Sequence, residues 1–79
     1  MQRRMYLWDF FGPNAHGTAT HFREHLLKFM AQHEVSDCEC GVRSERPGHA
    51  AAFCITDVSL EPALVRALRP QRALEPDAP

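Results

Sequence analysis

The sequence predicts a small α+β domain of order β-α-β-β-α, and three observations carry that reading. Residues 5–11 are dense in strand formers, Tyr6, Trp8, Phe10 and Phe11 among them. Phe22, Leu26, Phe29 and Met30 recur at the spacing that makes one stripe on an α-helix. An alternating run at 37–44 and an apolar run at 50–56 flank a Pro-Gly turn, the pattern of an antiparallel hairpin.

Taken in order, the first strand spans Met5 to Phe11, with Tyr6, Trp8 and Phe10 on one face and Met5, Leu7, Asp9 and Phe11 on the other. Gly12-Pro13 ends it. A helix follows from about Thr18, or one turn earlier, to His33, with Ala19 inside its apolar stripe and Asn14 or Thr18 as the cap. Cys38, Cys40 and Val42 share one face of the second strand, the pattern of a half-buried antiparallel strand. Arg46-Pro47-Gly48-His49 fits a type II turn, in which Pro presets the second position and Gly supplies the positive φ of the third. Ala50 to Thr56 is apolar on both faces and reads as the central strand. Asp57 or Ser59 caps a second helix carrying Leu60, Leu64, Val65 and Leu68, with Pro62 tolerated in the first turn and Pro70 as the stop. Residues 71–79, with two prolines and two acids, read as a flexible C-terminal tail beyond a single domain at 1–70.

The hairpin makes the second and third strands antiparallel neighbours, and the first helix is a crossover that prefers the right-handed path. The expected sheet is three-stranded, in order 1-3-2, with two helices on one face: half of a ferredoxin-like split βαβ arrangement. Its other face is then bare. With Tyr6, Trp8 and Phe10 assigned to it, that face would be an aromatic liability on a monomer, so those three residues are the expected interface of a homodimer.

Composition narrows the function classes. A 79-residue chain buries only about 60% of the surface its unfolded form exposes, so association is a natural route to further burial. The net charge of −1 provides no broad positive field, which argues against nucleic acid as a partner. No run approaches the roughly 18 apolar residues of a membrane span, and the basic start at Met1-Gln2-Arg3-Arg4 meets Asp9 before a signal-like apolar stretch develops. Three cysteines, an odd number, point to a reduced cytoplasmic protein. Eight arginines against one lysine suggest a GC-rich bacterial genome.

Four sets of residues carry possible chemistry. Gly12 to Thr18 has the glycine spacing of a phosphate loop, but the expected Lys is absent and Pro13 removes an N–H from the cradle. The junction still gathers Asp9, Asn14, His16 and His21 at one end of the domain as ligand-binding candidates. His21 and His25 share a helix side and, with Cys38 and Cys40, form a candidate zinc set; no other cofactor is implied. Cys54 belongs to the neighbouring strand, where a contact with Cys38 or Cys40 is conceivable beside a structural core role. Asp9, an acid in an apolar strand, needs either a raised pKa or a fixed partner, for which Arg43, His49, His16 or a junction N–H are available.

The expected function is a homodimeric interaction or regulatory module without a complete catalytic set, its further partner an unidentified protein or small molecule. The alternatives are a small-ligand or metal-binding protein using the Gly12–Thr18 junction with His21 and His25, and a cofactor-free enzyme with Asp9 and His16 as its acid–base pair.

Overall fold

The elements follow one another as β1 (Arg3–Phe11), α1 (Ala15–Gln32), β2 (Glu39–Arg46), β3 (His49–Asp57), α2 (Glu61–Ala67) and β4 (Arg72–Leu74) in a computed structural model that describes residues 2–76. A single 3₁₀ turn, Val58–Leu60, leads into α2. The strands form one antiparallel sheet in the order β2-β3-β1-β4. The class is α+β, as expected, and the full order is βαββαβ, the complete split βαβ pattern rather than half of it.

The fourth strand corrects the expected tail. Met5, Tyr6 and Leu7 pair with Leu74, Ala73 and Arg72. The reason is backbone accounting: β3 covers one side of β1 only, and the other side presents donors and acceptors that need partners. The chain leaves α2 through Arg69, at φ 52°, and Pro70, and the Gln71 N–H donates to the Leu7 carbonyl at 2.9 Å. A three-residue strand shows no alternation to read, and prolines at both ends disguise it. Residues 77–79 of the expected tail lie outside the described residues.

A second correction concerns the faces of β1. Tyr6 and Trp8, expected on the bare face, lie beneath the helices at 1% and 4% exposure, and Phe10 packs against the same core. Their bulk fills the space between sheet and helices, and their polar ends find partners at the two ends of α2. Trp8 Nε1 donates to the Leu68 carbonyl at 2.8 Å, and the Tyr6 hydroxyl donates to Glu61 at 2.9 Å. Burial and that bond to a carboxylate push the Tyr6 phenol up to about 12. The Trp8 ring meets Phe22 of α1 at 5.1 Å. Ala19, Leu26 and Met30 of α1, Leu64 of α2, and Ala50, Ala52 and Cys54 of β3 complete the core. Both helices therefore cover one face of the sheet, and the other carries Met5, Leu7, Asp9 and Phe11 with their register partners Ile55, Phe53, Ala51 and His49.

Helix α1 starts at Ala15, a turn ahead of Thr18. Asn14 occupies the cap position without a side-chain cap bond; its carbonyl instead accepts from both the N–H and the hydroxyl of Thr18. At the other end the chain reverses through Glu34 at φ 57°. Val35 N–H bonds to Met30 O at 2.9 Å and Glu34 N–H to Ala31 O at 3.1 Å, the paired bonds of a Schellman cap. Glycine normally occupies that left-handed position, and a side chain there costs roughly 1 kcal/mol. Glu34→Gly is therefore expected to stabilise the fold by about 1 kcal/mol in urea unfolding. An unchanged or lowered midpoint would contradict this account of the helix end.

Candidate functional site

Among the described residues a connected set of polar side chains forms on the helix-free face, where the end of β1 meets the start of β3 and the side chain of Arg72 from β4. Asp9 is the centre of it. It sits in register with Ala51, which is fully buried, and its own side chain is 11% exposed. A carboxylate so placed must be paired. Arg72 supplies a two-pronged contact, Nε to Oδ2 at 3.0 Å and Nη2 to Oδ1 at 2.7 Å. His49 Nε2 lies 2.8 Å from Oδ1, and since an ionised carboxylate only accepts, that nitrogen carries the proton. The backbone N–H of Asp9 donates to Gln71 Oε1 at 2.6 Å, so the residue grips the β4 segment from both its backbone and its side chain.

Burial alone would raise the Asp9 carboxyl; the hydrogen bonds from His49 and Arg72, with the Arg72 charge, outweigh it and hold the group below the usual carboxylate range. The network continues outward. Arg72 Nη2 lies 3.9 Å from Glu45 Oε1, and Glu45 Oε1 lies 2.6 Å from Arg43 Nε, off the direction of a hydrogen bond. Arg43 Nη1 reaches back over the sheet to Met5 Sδ at 3.6 Å. The His49 ring is held from its other side by Phe11, stacked at 4.4 Å. Charges of alternating sign thus run across the end of the sheet and largely neutralise one another.

Beside this network the β1–α1 junction meets the hairpin turn. Gly12 (φ 111°) donates its N–H to the carbonyl of Gly48 (φ 77°) at 2.9 Å, and the positive φ of both residues makes that close approach possible. The two loops enclose a groove of about 390 Å³ lined by Pro13, His16, Ser44, Arg46 and His49 among others. His16 therefore reaches the groove, whereas Asp9, Asn14 and His21 do not line it. Asp9 pairs with His49 and Arg72 rather than with His16, so the expected Asp9/His16 acid–base pair does not form.

The expected zinc set is also dispersed. His21 and His25 face each other on the exposed side of α1 with Nε2 atoms 3.1 Å apart, and Glu24 approaches His21 at 4.0 Å. Cys38 and Cys40 instead pack against the core from the β2 side. Among the described residues no group of three or more His, Cys, Asp or Glu side chains is placed to hold a metal ion. No helix among them is long and apolar enough to cross a membrane.

His49 was legible as a partner for Asp9 because a Pro-Gly hairpin places it close to the end of the first strand. Arg72, Glu45 and Gln71 were not; the one available signal was the demand that a buried carboxylate makes for a cation. No family model, no curated protein and no solved structure matches the chain.

The Asp9 network has a signature in acid. Its carboxyl titrates lower in the folded than in the unfolded chain, where it titrates near 4. Its stabilisation is therefore complete above that value and is lost as pH falls through the folded-state pKa. Asp9→Asn should cost about 2 kcal/mol at neutral pH and flatten the acid limb of the stability profile. Urea midpoints measured from neutral pH down into acid check both, and a variant with the wild-type slope would refute the assignment.

Proposed function

We propose that the chain is a homodimeric interaction module that associates through the helix-free face of its sheet. The supporting observation is the composition of that face: Met5 of β1, Phe53 and Ile55 of β3, and Leu74 of β4 are half-buried apolar side chains around the fully buried Leu7, with no helix among the described residues over them. The interface side chains differ from those expected, since Tyr6, Trp8 and Phe10 belong to the core. The tip of the Phe53 ring covers Gly41, where a Cβ would come within 2.7 Å of the ring Cζ. Its polar margin carries both signs, Asp9 and Glu45 with Arg43 and Arg72, and Arg3 with Asp37 toward the other end. A margin of mixed sign suits a second copy of the same surface better than a strongly charged partner.

The engaged Asp9 carboxylate supports the non-enzymatic side of the reading, because its oxygens already hold Arg72 and His49. The odd number of cysteines supports a reducing cytoplasmic setting, and eight arginines against one lysine support a bacterial source.

Sedimentation velocity at tens of micromolar should give twice the 9.0 kDa chain mass, and Ile55→Glu should return the monomer with an unchanged far-ultraviolet dichroism spectrum. A wild-type monomer at that concentration would defeat the proposal.

A second reading rests on the groove between the β1–α1 junction and the hairpin turn. Arg46 and His16 line it at the start of an 18-residue helix, whose first N–H groups favour an anion. In that case inorganic phosphate should raise the melting temperature of the wild type and leave Arg46→Ala unmoved; equal shifts in both proteins would reject it.

A further inference from the structure

On the helix-covered side of the sheet, Cys40 of β2 lies directly across from Cys54 of β3, with the two sulfur atoms 3.5 Å apart. Facing residues on antiparallel strands have Cα atoms roughly 4.5–5.5 Å apart, inside the range that a disulfide bridges. Bond formation then needs the sulfurs to close to about 2.05 Å, a matter of side-chain rotation between two strands already in register.

The pair is asymmetric in access. Cys54 is fully buried on a central strand, while Cys40 is partly exposed and belongs to β2, the edge of the sheet. Cys38 precedes β2 by one residue and is also partly exposed. An oxidant arriving at the edge meets Cys40 with a resolving thiol already behind it.

We propose that Cys40 and Cys54 form a peroxide-responsive dithiol, with Cys40 as the attacking sulfur and Cys54 as the resolving one. The Cys40 thiolate attacks a peroxide oxygen; an S–O bond forms, the O–O bond breaks, and hydroxide leaves and takes up a proton as water. The Cys54 sulfur then attacks the Cys40 sulfenic acid. The S–S bond forms, the S–O bond breaks, and the departing hydroxide combines with the Cys54 proton as a second water. Two thiols and one hydrogen peroxide thus give one disulfide and two waters, with two electrons passing from sulfur to peroxide.

The local electrostatics agree with these roles. The contact with Cys54 outweighs burial and, helped by Cys38 and the Arg23 charge, brings the Cys40 thiol down to about 7. The same contact, together with burial, pushes Cys54 up. Cys38 is raised, chiefly by burial, which makes it the poorer nucleophile of the two exposed thiols. The proposal does not depend on self-association, since the pair lies on the opposite side of the sheet from the proposed interface.

The test is treatment of the folded protein with stoichiometric hydrogen peroxide, followed by thiol titration and peptide mapping. Free thiols should fall from three to one without a change in chain mass beyond the loss of two hydrogens. Cleavage after Glu39 separates Cys38 from Cys40 and should show the link running from Cys40 to Cys54. Cys38→Ser should still form the bond, and Cys40→Ser should not. A link through Cys38, a disulfide between two chains, or sulfinic acid at Cys40 with Cys54 still free would each overturn the proposal. So would three thiols persisting after treatment. The wild-type map decides the matter even if the Cys40→Ser chain fails to fold.

Discussion

The pairing of the Asp9 carboxylate is the constraint on which the rest of the sheet depends. A charge placed in a covered strand is expensive unless satisfied, and here it is satisfied by residues 40 and 63 positions further along the chain. His49 ties Asp9 to the start of the central strand. Arg72 ties it to a strand only three residues long, which backbone pairing alone would hold weakly. With Gln71 bonding both the Asp9 N–H and the Leu7 carbonyl, the chain after α2 is pinned along β1. α2 is tied to the same strand at both ends: the carbonyl of Leu68, just past its last residue, accepts from Trp8, and Glu61 at its start accepts from Tyr6 and Arg4.

The two faces of β1 divide their work by polarity rather than by hydrophobicity. Both alternate sets contain large apolar groups, so hydropathy does not rank them. What separates them is the hydrogen-bonding end of each side chain. Tyr6 and Trp8 carry a hydroxyl and an indole N–H that need partners when buried, and helix termini, with their free carbonyls and an acidic first turn, provide them. Asp9 carries a charge, and the helix-free face lets Arg72 and His49 reach it while their outer atoms stay near water.

The same distinction explains how much was legible in the sequence. The long periodic elements were, because eighteen residues of helix and nine of strand repeat a pattern often enough to fix its period. The hairpin was, because Pro47-Gly48 leaves few conformations open. The orientation of β1 was not: choosing a face required knowing that α2 would end over Trp8. β4 was not, because three residues cannot display a period and its role is to complete an edge defined elsewhere. Within the site, Asp9 was visible as an anomaly and His49 as an available partner. Arg72 was hidden by the assignment of its segment to a tail. The grouping of Asp9 with Asn14, His16 and His21 failed because nearness to one end of the domain does not set the direction of a side chain. Asp9 looks across the sheet face, His16 into the groove, and His21 outward from α1.

The edges of the sheet bear on how such a chain would associate. β2 is an edge strand with Glu39, Arg43, Glu45 and Arg46 along it and a register shift between Ser44 and Arg46, the combination of charge and bulge that discourages strand addition. The opposite edge, β4, offers three residues and runs into Glu75 and Pro76, and proline cannot donate to a growing ladder. Neither edge is a good template for another chain. The helix-covered face is filled by the core, and the outer surfaces of the helices expose only scattered apolar residues, Leu27 and Val65. The helix-free face carries the half-buried Met5, Phe53, Ile55 and Leu74 together with the exposed Phe11, beside the mutually neutralised charges around Asp9. With both edges blunted, the helix-free face is the surface through which we propose that the chain associates, and a partner docking there leaves the Cys40–Cys54 pair open at the β2 edge.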